Sequence, residues 1–167
     1  VTVEAFPEAM EKFKAGECDL VTTDGSGLVG NRAKEGALND WAIFPASPIS
    51  KEPLGPVYRS NDSQWADVVN WTVYATFIAD EYGVGRANVD SFDYDANPEM
   101  GRLMGKNDGE LQTVMGLSAD AFYNVIKQIG NYDEIYSKNL NPVGLYREGS
   151  ANAPWTEGGL IYAPPAR

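Results

Sequence analysis

From Phe13 to Gly27 the chain runs through a helix end, a glycine stop, a short apolar strand and a polar turn that opens a second helix. A strand feeding a helix in this way points to the α/β class. It also places the turn at the carboxyl end of the strand, where open α/β sheets bind ligands. The turn reads Thr22-Thr23-Asp24-Gly25-Ser26-Gly27. Such residues can hold a small polar ligand, with Asp24 accepting from an ammonium and the Thr22 and Thr23 hydroxyls beside it. Their commoner use is local: Asp24 caps the helix or closes an Asx-turn. The glycines fit neither the dinucleotide fingerprint nor a phosphate loop, because no Lys-Ser/Thr pair follows them.

The surrounding pattern extends the α/β reading. Val1 to Phe6 is β-rich. Pro7 opens a helix whose apolar face is Ala9, Met10 and Phe13 and which Gly16 stops. Cys18 to Val21 is the next strand. A helix capped by Asp24 or Ser26 runs through Leu28 and Val29 to about Glu35, and Trp41 to Phe44 is a third strand. Residues 1–46 therefore predict a parallel β-α-β-α-β unit. Four prolines between Pro45 and Pro56 then force stiff, extended backbone, which marks the best candidate for a crossing between domains. Leu54 to Tyr58 reads as an edge strand.

The remainder is mainly helical. Trp65, Val68, Val69, Thr72, Val73 and Phe77 follow helical spacing from Ser63 to Tyr82, with Asp62 or Ser63 as cap and Gly83 as stop. Short helices are expected over 86–94 and 98–104. A longer one is expected from Ser118, stapled by Leu117 and Phe122, with Phe122, Val125, Ile126 and Ile129 inward and a break at Gly130.

Composition narrows the chemistry. The 167 residues are 43% hydrophobic, which suits a packed core, and carry a formal net charge of −11, which disfavours nucleic acid and anionic membrane surfaces. There is no histidine, so the commonest general base and metal ligand is absent, and the one cysteine, Cys18, makes no zinc site by itself. The carboxylate pairs Asp80-Glu81, Asp93/Asp95 and Asp133-Glu134 fall on positions that read as solvated faces, and no nucleophile–base pair emerges. Neither an enzyme nor a cofactor is expected. Trp41, Trp65, Trp71 and Trp155 read as packing residues.

Four separated stretches, in order, resemble the general L-amino-acid-binding proteins of bacterial ABC importers, a subgroup of the type II periplasmic solute-binding proteins. They are residues 15–24 (Ala-Gly-Glu-Cys-Asp-Leu-Val-Thr-Thr-Asp), 49–56 (Ile-Ser-Lys-Glu-Pro-Leu-Gly-Pro), 130–134 (Gly-Asn-Tyr-Asp-Glu) and 155–165 (Trp-Thr-Glu-Gly-Gly-Leu-Ile-Tyr-Ala-Pro-Pro). The resemblance implies a partial two-lobed fold that closes on a free L-amino acid, without catalysis, in the periplasm and in partnership with the importer's membrane subunits. It implies that residues 1–50 are the remainder of the second lobe, 51–60 the hinge return and edge strand, and 61–167 the carboxyl-terminal part of the first lobe. It further implies that Asp24 holds the ligand's α-ammonium, with Thr22 and Thr23 adjacent, and that Cys18 is one half of a disulfide whose partner precedes this chain. An incomplete pair of lobes would leave apolar stripes on the helices at 63–82 and 118–129 bare, and a homo-oligomer is expected on that ground. The alternative is a small acidic protein-interaction module without a small-molecule ligand.

Overall fold

The computed structural model describes residues 2–36, 40–45, 47–50 and 54–166. The chain divides into two compact units, Val1–Pro53 and Leu54–Arg167. Val1, at the head of the first expected strand, and residues 51–53 of the expected hinge lie outside the described residues.

In the first unit, α1 spans Phe6–Lys14 and α2 spans Gly25–Lys34. Pro7 sits in the first turn of α1, where a missing N–H costs nothing. Glu8 near the start and Lys12 and Lys14 near the end complement the helix dipole. Met10 and Val29 are buried, and Phe13 meets the Trp41 ring edge-on at 5.1 Å. Residues 18–24 and 41–45 lie outside helix, as expected. Among the described residues, however, no ladder joins them, and the single β-bridge found there pairs Pro154 with Ile161. The expected β-α-β-α-β unit is thus present as helices between unpaired segments, not as a sheet. A strand is completed only by hydrogen bonds from a neighbouring strand, and here Leu20 is 63% exposed with none beside it.

The second unit holds α3 (Ser63–Glu81), α4 (Pro98–Leu103), α5 (Leu111–Val114), α6 (Ala121–Ile129) and α7 (Tyr132–Leu140), followed by 3-10 turns at Asn141–Val143 and Trp155–Glu157. The Asp62 side chain caps α3 by accepting from Trp65 N–H at 3.0 Å. α3 packs on α6 and α7. The core joins Ala75, Ile78 and Ala79 of α3, Met100 and Leu103 of α4, and Phe122 and Ile126 of α6, with Ala163 and Ala166 of the tail closing it.

Three expectations change. Val68 and Phe77 of the expected α3 stripe pack against the core, but the fully covered residues are Ala75, Thr76, Ile78 and Ala79, and Trp65 is 53% exposed. This helix is apolar nearly all round, so periodicity fits several stripes; the side carrying two alanines lets a neighbour approach closely. Residues 86–94 form turns, not a helix. Asn88 explains this, since its side chain accepts from Gly85 N–H and donates to Gly83 O, offering the backbone a local alternative. Finally, α6 starts at Ala121 and its Phe122 and Ile126 are fully buried within their own unit. The stripes expected to seek a second copy are in large part satisfied inside the chain.

Two glycines with the same backbone test how tightly this unit is built. Gly83 and Gly105 both have φ +65°, but a methyl at Gly83 would meet open space, whereas one at Gly105 would run into the Ala119 carbonyl. Gly83→Ala is expected to cost about 1 kcal/mol, the left-handed penalty alone. Gly105→Ala is expected to cost about 2–3 kcal/mol, because the neighbouring backbone must shift as well. Paired urea denaturation curves check this, and equal costs would mean that the loop before α6 is not closely packed.

Candidate functional site

The expected ligand-binding residues Thr22, Thr23 and Asp24 are consecutive and occupy the approach to α2. Asp24 is the residue before the helix, with φ −53° and ψ 143°, and its side chain makes no capping hydrogen bond. Its carbonyl accepts the first helical bond, from Leu28 N–H at 2.9 Å. The N–H groups of Gly25, Ser26 and Gly27 precede that bond and have no partner within the helix. The local use of Asp24 as a helix cap is therefore not realised. Asp24 is half-buried, and its carboxylate is not engaged by α2, although it belongs to the residue at the positive end of that helix.

The hydroxyls take a different position. Thr22 and Thr23 are both exposed. A methyl at Gly27 would lie 3.3 Å from Thr23 Cγ2, so the first turn of α2 packs beneath Thr23 and only a hydrogen leaves the present spacing undisturbed. Asn31 Nδ2 donates back to Gly27 O at 2.8 Å and steadies the same turn. The arrangement offers an anionic acceptor, two hydroxyls and free backbone donors within one turn. It can hold a zwitterionic group.

Other residues singled out in the sequence are placed elsewhere. Cys18 is half-buried and free. The disulfide implied by the family resemblance has no support in this chain, which contains no second cysteine. Trp71 packs against the core of the second unit, and Trp41 against Phe13. Among the described residues, no group of three or more His, Cys, Asp or Glu could hold a metal ion. Among the described residues, no helix is long and apolar enough to cross a membrane. Two clefts, about 280 and 490 Å³, lie in the second unit, lined by Arg102, Glu110 and Gln112 and by Tyr58, Asp62 and Trp65 respectively; Thr22, Thr23 and Asp24 line neither.

In the carboxylate pairs expected on solvated faces, Glu81 and Asp133 are exposed, whereas Asp80 is largely buried. Asp80 Oδ2 lies 2.6 Å from Arg147 Nη1, which also meets Asp133 Oδ1 at 3.2 Å, and both Arg147 and Asp80 are largely buried. Burial pushes the Asp80 carboxyl above its ordinary value, outweighing the opposite pull of Arg147. Glu134 completes a capping box with Asn131 at the start of α7. That box was visible as Asn-x-x-Glu before an apolar residue. The Asp80–Arg147 pairing, across 67 positions, has no local signature.

No protein-family profile matches the chain. It is 43% identical over its whole length to the general L-amino acid-binding periplasmic protein AapJ of Rhizobium johnstonii, of which it covers 49%. It is 44% identical over 96% of its length to the glutamate/glutamine/aspartate/asparagine-binding protein BztA of Rhodobacter capsulatus, covering 47% of that protein. Among solved structures, an ABC transporter periplasmic binding protein from Brucella ovis with glutathione bound matches all of the chain at a TM-score of 0.91 and 40% identity, and 52% of that structure is covered. The chain thus spans about half the length of the relatives it matches. Identity at this level along the entire chain, together with the shared fold, makes the chain a homologue of the amino-acid-binding periplasmic proteins of ABC transporters.

Proposed function

We propose that this chain is part of the solute-binding component of an amino-acid ABC importer, capturing a free L-amino acid in the periplasm and delivering it to the membrane subunits. The observation that carries this reading is unbroken similarity, from one end of the chain to the other, to proteins that bind amino acids. In this reading residues 1–50 belong to one ligand-binding lobe and 61–167 to the other, with 51–60 returning between them. Asp24 accepts from the ligand's α-ammonium, with the hydroxyls of Thr22 and Thr23 beside it. What supports Asp24 in particular is that the residue is half-buried and its carboxylate is left unused by the helix it precedes.

A second ligand class follows from the Brucella ovis neighbour, which holds glutathione. The γ-glutamyl residue of that tripeptide presents a free α-ammonium and α-carboxylate, as an amino acid does. Asp24 could meet either ligand through the same group.

Calorimetry of the full-length protein against a panel of L-amino acids and glutathione tests both readings. Binding of a free amino acid is expected, and Asp24→Ala is expected to weaken it by about 2–4 kcal/mol, because a desolvated ammonium loses its charged acceptor. Asp24→Asn is expected to cost less. Wild-type affinity in Asp24→Ala would remove Asp24 from the site. Binding of glutathione alone would replace the free amino acid as ligand, and turnover of any of them would overturn the transport reading.

A further inference from the structure

The carboxyl-terminal segment of the second unit carries an exposed apolar face within an acidic rim. Trp155, Leu160 and Tyr162 are 53%, 71% and 58% exposed, and the Trp155 and Tyr162 rings meet edge-on at 6.2 Å. The backbone beneath them is fixed. Trp155 N–H donates to Ile161 O at 2.9 Å, the Trp155 indole Nε1 donates to Glu81 Oε1 at 3.0 Å, and Pro154 and Ile161 form a β-bridge. A face held in this way loses little conformational freedom when something binds to it.

The rim is strongly anionic. Glu81 touches Trp155, Glu157 ends the 3-10 turn that Trp155 begins, and Glu99 accepts from Tyr82 O–H at 3.2 Å and from Ala166 N–H at 3.0 Å. Glu81 feels the charges of Asp80 and Glu99, and Asp80 feels those of Asp133 and Glu157. Among the described residues, the salt bridges of this group run only to Arg147, which is 7% exposed and already engaged by Asp80, Asp133 and the Asn152 carbonyl. The wider field has the same sign, with a net charge of −11 over the chain. A second copy of this chain is a poor occupant, since docking would bring two acidic rims together.

We propose that this face docks a basic segment of another protein, whose arginine or lysine side chains lie on Trp155 and Tyr162 and pair with Glu81 and Glu157. A guanidinium stacks on an indole or phenol face while its N–H fork reaches a carboxylate, so aromatic rings beside glutamates match it in both shape and charge. Burial raises the Glu81 carboxyl above its ordinary value.

Fluorescence anisotropy with a dye-labelled peptide of alternating arginine and alanine tests this on the full chain at low salt. Binding is expected, and a glutamate-for-arginine version of the peptide is expected not to bind. Glu81→Gln/Glu157→Gln keeps an acceptor for the Trp155 indole but removes two charges, and should weaken binding about tenfold or more. Trp155→Ala should weaken it similarly, with circular dichroism confirming that the helices persist. Glu4→Gln/Glu8→Gln, the same charge change on the first unit, should alter binding less than about threefold. An equal loss in that control would mean that the peptide merely senses net charge, and would overturn the proposal. So would absence of binding, or a dimer in sedimentation that Trp155→Ala dissociates.

Discussion

Replacing Phe122 by alanine will lower the unfolding free energy of the Leu54–Arg167 unit by about 3–5 kcal/mol, the range for deleting a fully buried aromatic side chain. Phe122 has no exposed surface and sits in the core with Ile78 of α3, Met100 and Leu103 of α4 and Ile126 of α6. It lies in the first turn of α6, so it also fixes how that helix meets α3. The core around it draws on α3, α4 and α6 together, so moving one side chain does not refill the space. Phe122→Leu, which refills most of the volume, should recover more than half of the loss. Urea denaturation followed by circular dichroism decides it: a cost below about 1 kcal/mol for Phe122→Ala would mean that this core is loosely packed.

Arg147→Met is expected to destabilise the same unit by about 2–4 kcal/mol at neutral pH. Arg147 ties three elements together: Asp80 at the end of α3, Asp133 at the start of α7 and the Asn152 carbonyl in the tail. Its guanidinium also lies 4.8 Å from the centre of the Tyr132 ring. Methionine fills a similar volume but strands Asp80 as a largely buried charge without its partner, and that loss outweighs the loss of the ion pair itself. Asp133 is half-exposed and water can compensate it, which keeps the figure below the largest known for buried pairs.

This variant also has a defined pH dependence. Burial already holds Asp80 above its ordinary value, with Arg147 pulling it down. Removing Arg147 will raise Asp80 further. A carboxyl whose folded value is raised favours the folded state when protonated, and that contribution is lost as pH rises through the folded value. The cost of Arg147→Met should therefore be largest at neutral pH and shrink in acid, as the stranded carboxyl takes up a proton. Denaturation curves at neutral and at acid pH measure it. A cost that grows in acid would show that Asp80 is charged and well solvated.

Local chemistry marked several of the helix ends, although it did not exclude the helix expected over 86–94. Pro7 and Gly16 bracket α1, Asp62 and Gly83 bracket α3, and Asn131 with Glu134 starts α7, because caps and stops act over a few residues of backbone. Thr22 to Asp24 stay together as a proposed site for the same reason, since three neighbours in sequence remain neighbours in space. Kinship was legible too, since it rests on the order of residues and not on their placement. The tertiary structure decided what depends on distant partners. Periodicity could not choose between the stripes of α3, because packing against α6 and α7 selects the alanine side. It could not foresee that Asp24 leaves α2 uncapped, which depends on a rotamer. Nor could it bring Arg147 to Asp80 or Trp155 to Glu81, pairs 67 and 74 positions apart. The expected strands mark the same boundary. β-propensity can be read from Cys18 to Val21, but a sheet exists only where a second strand supplies the other half of each hydrogen bond.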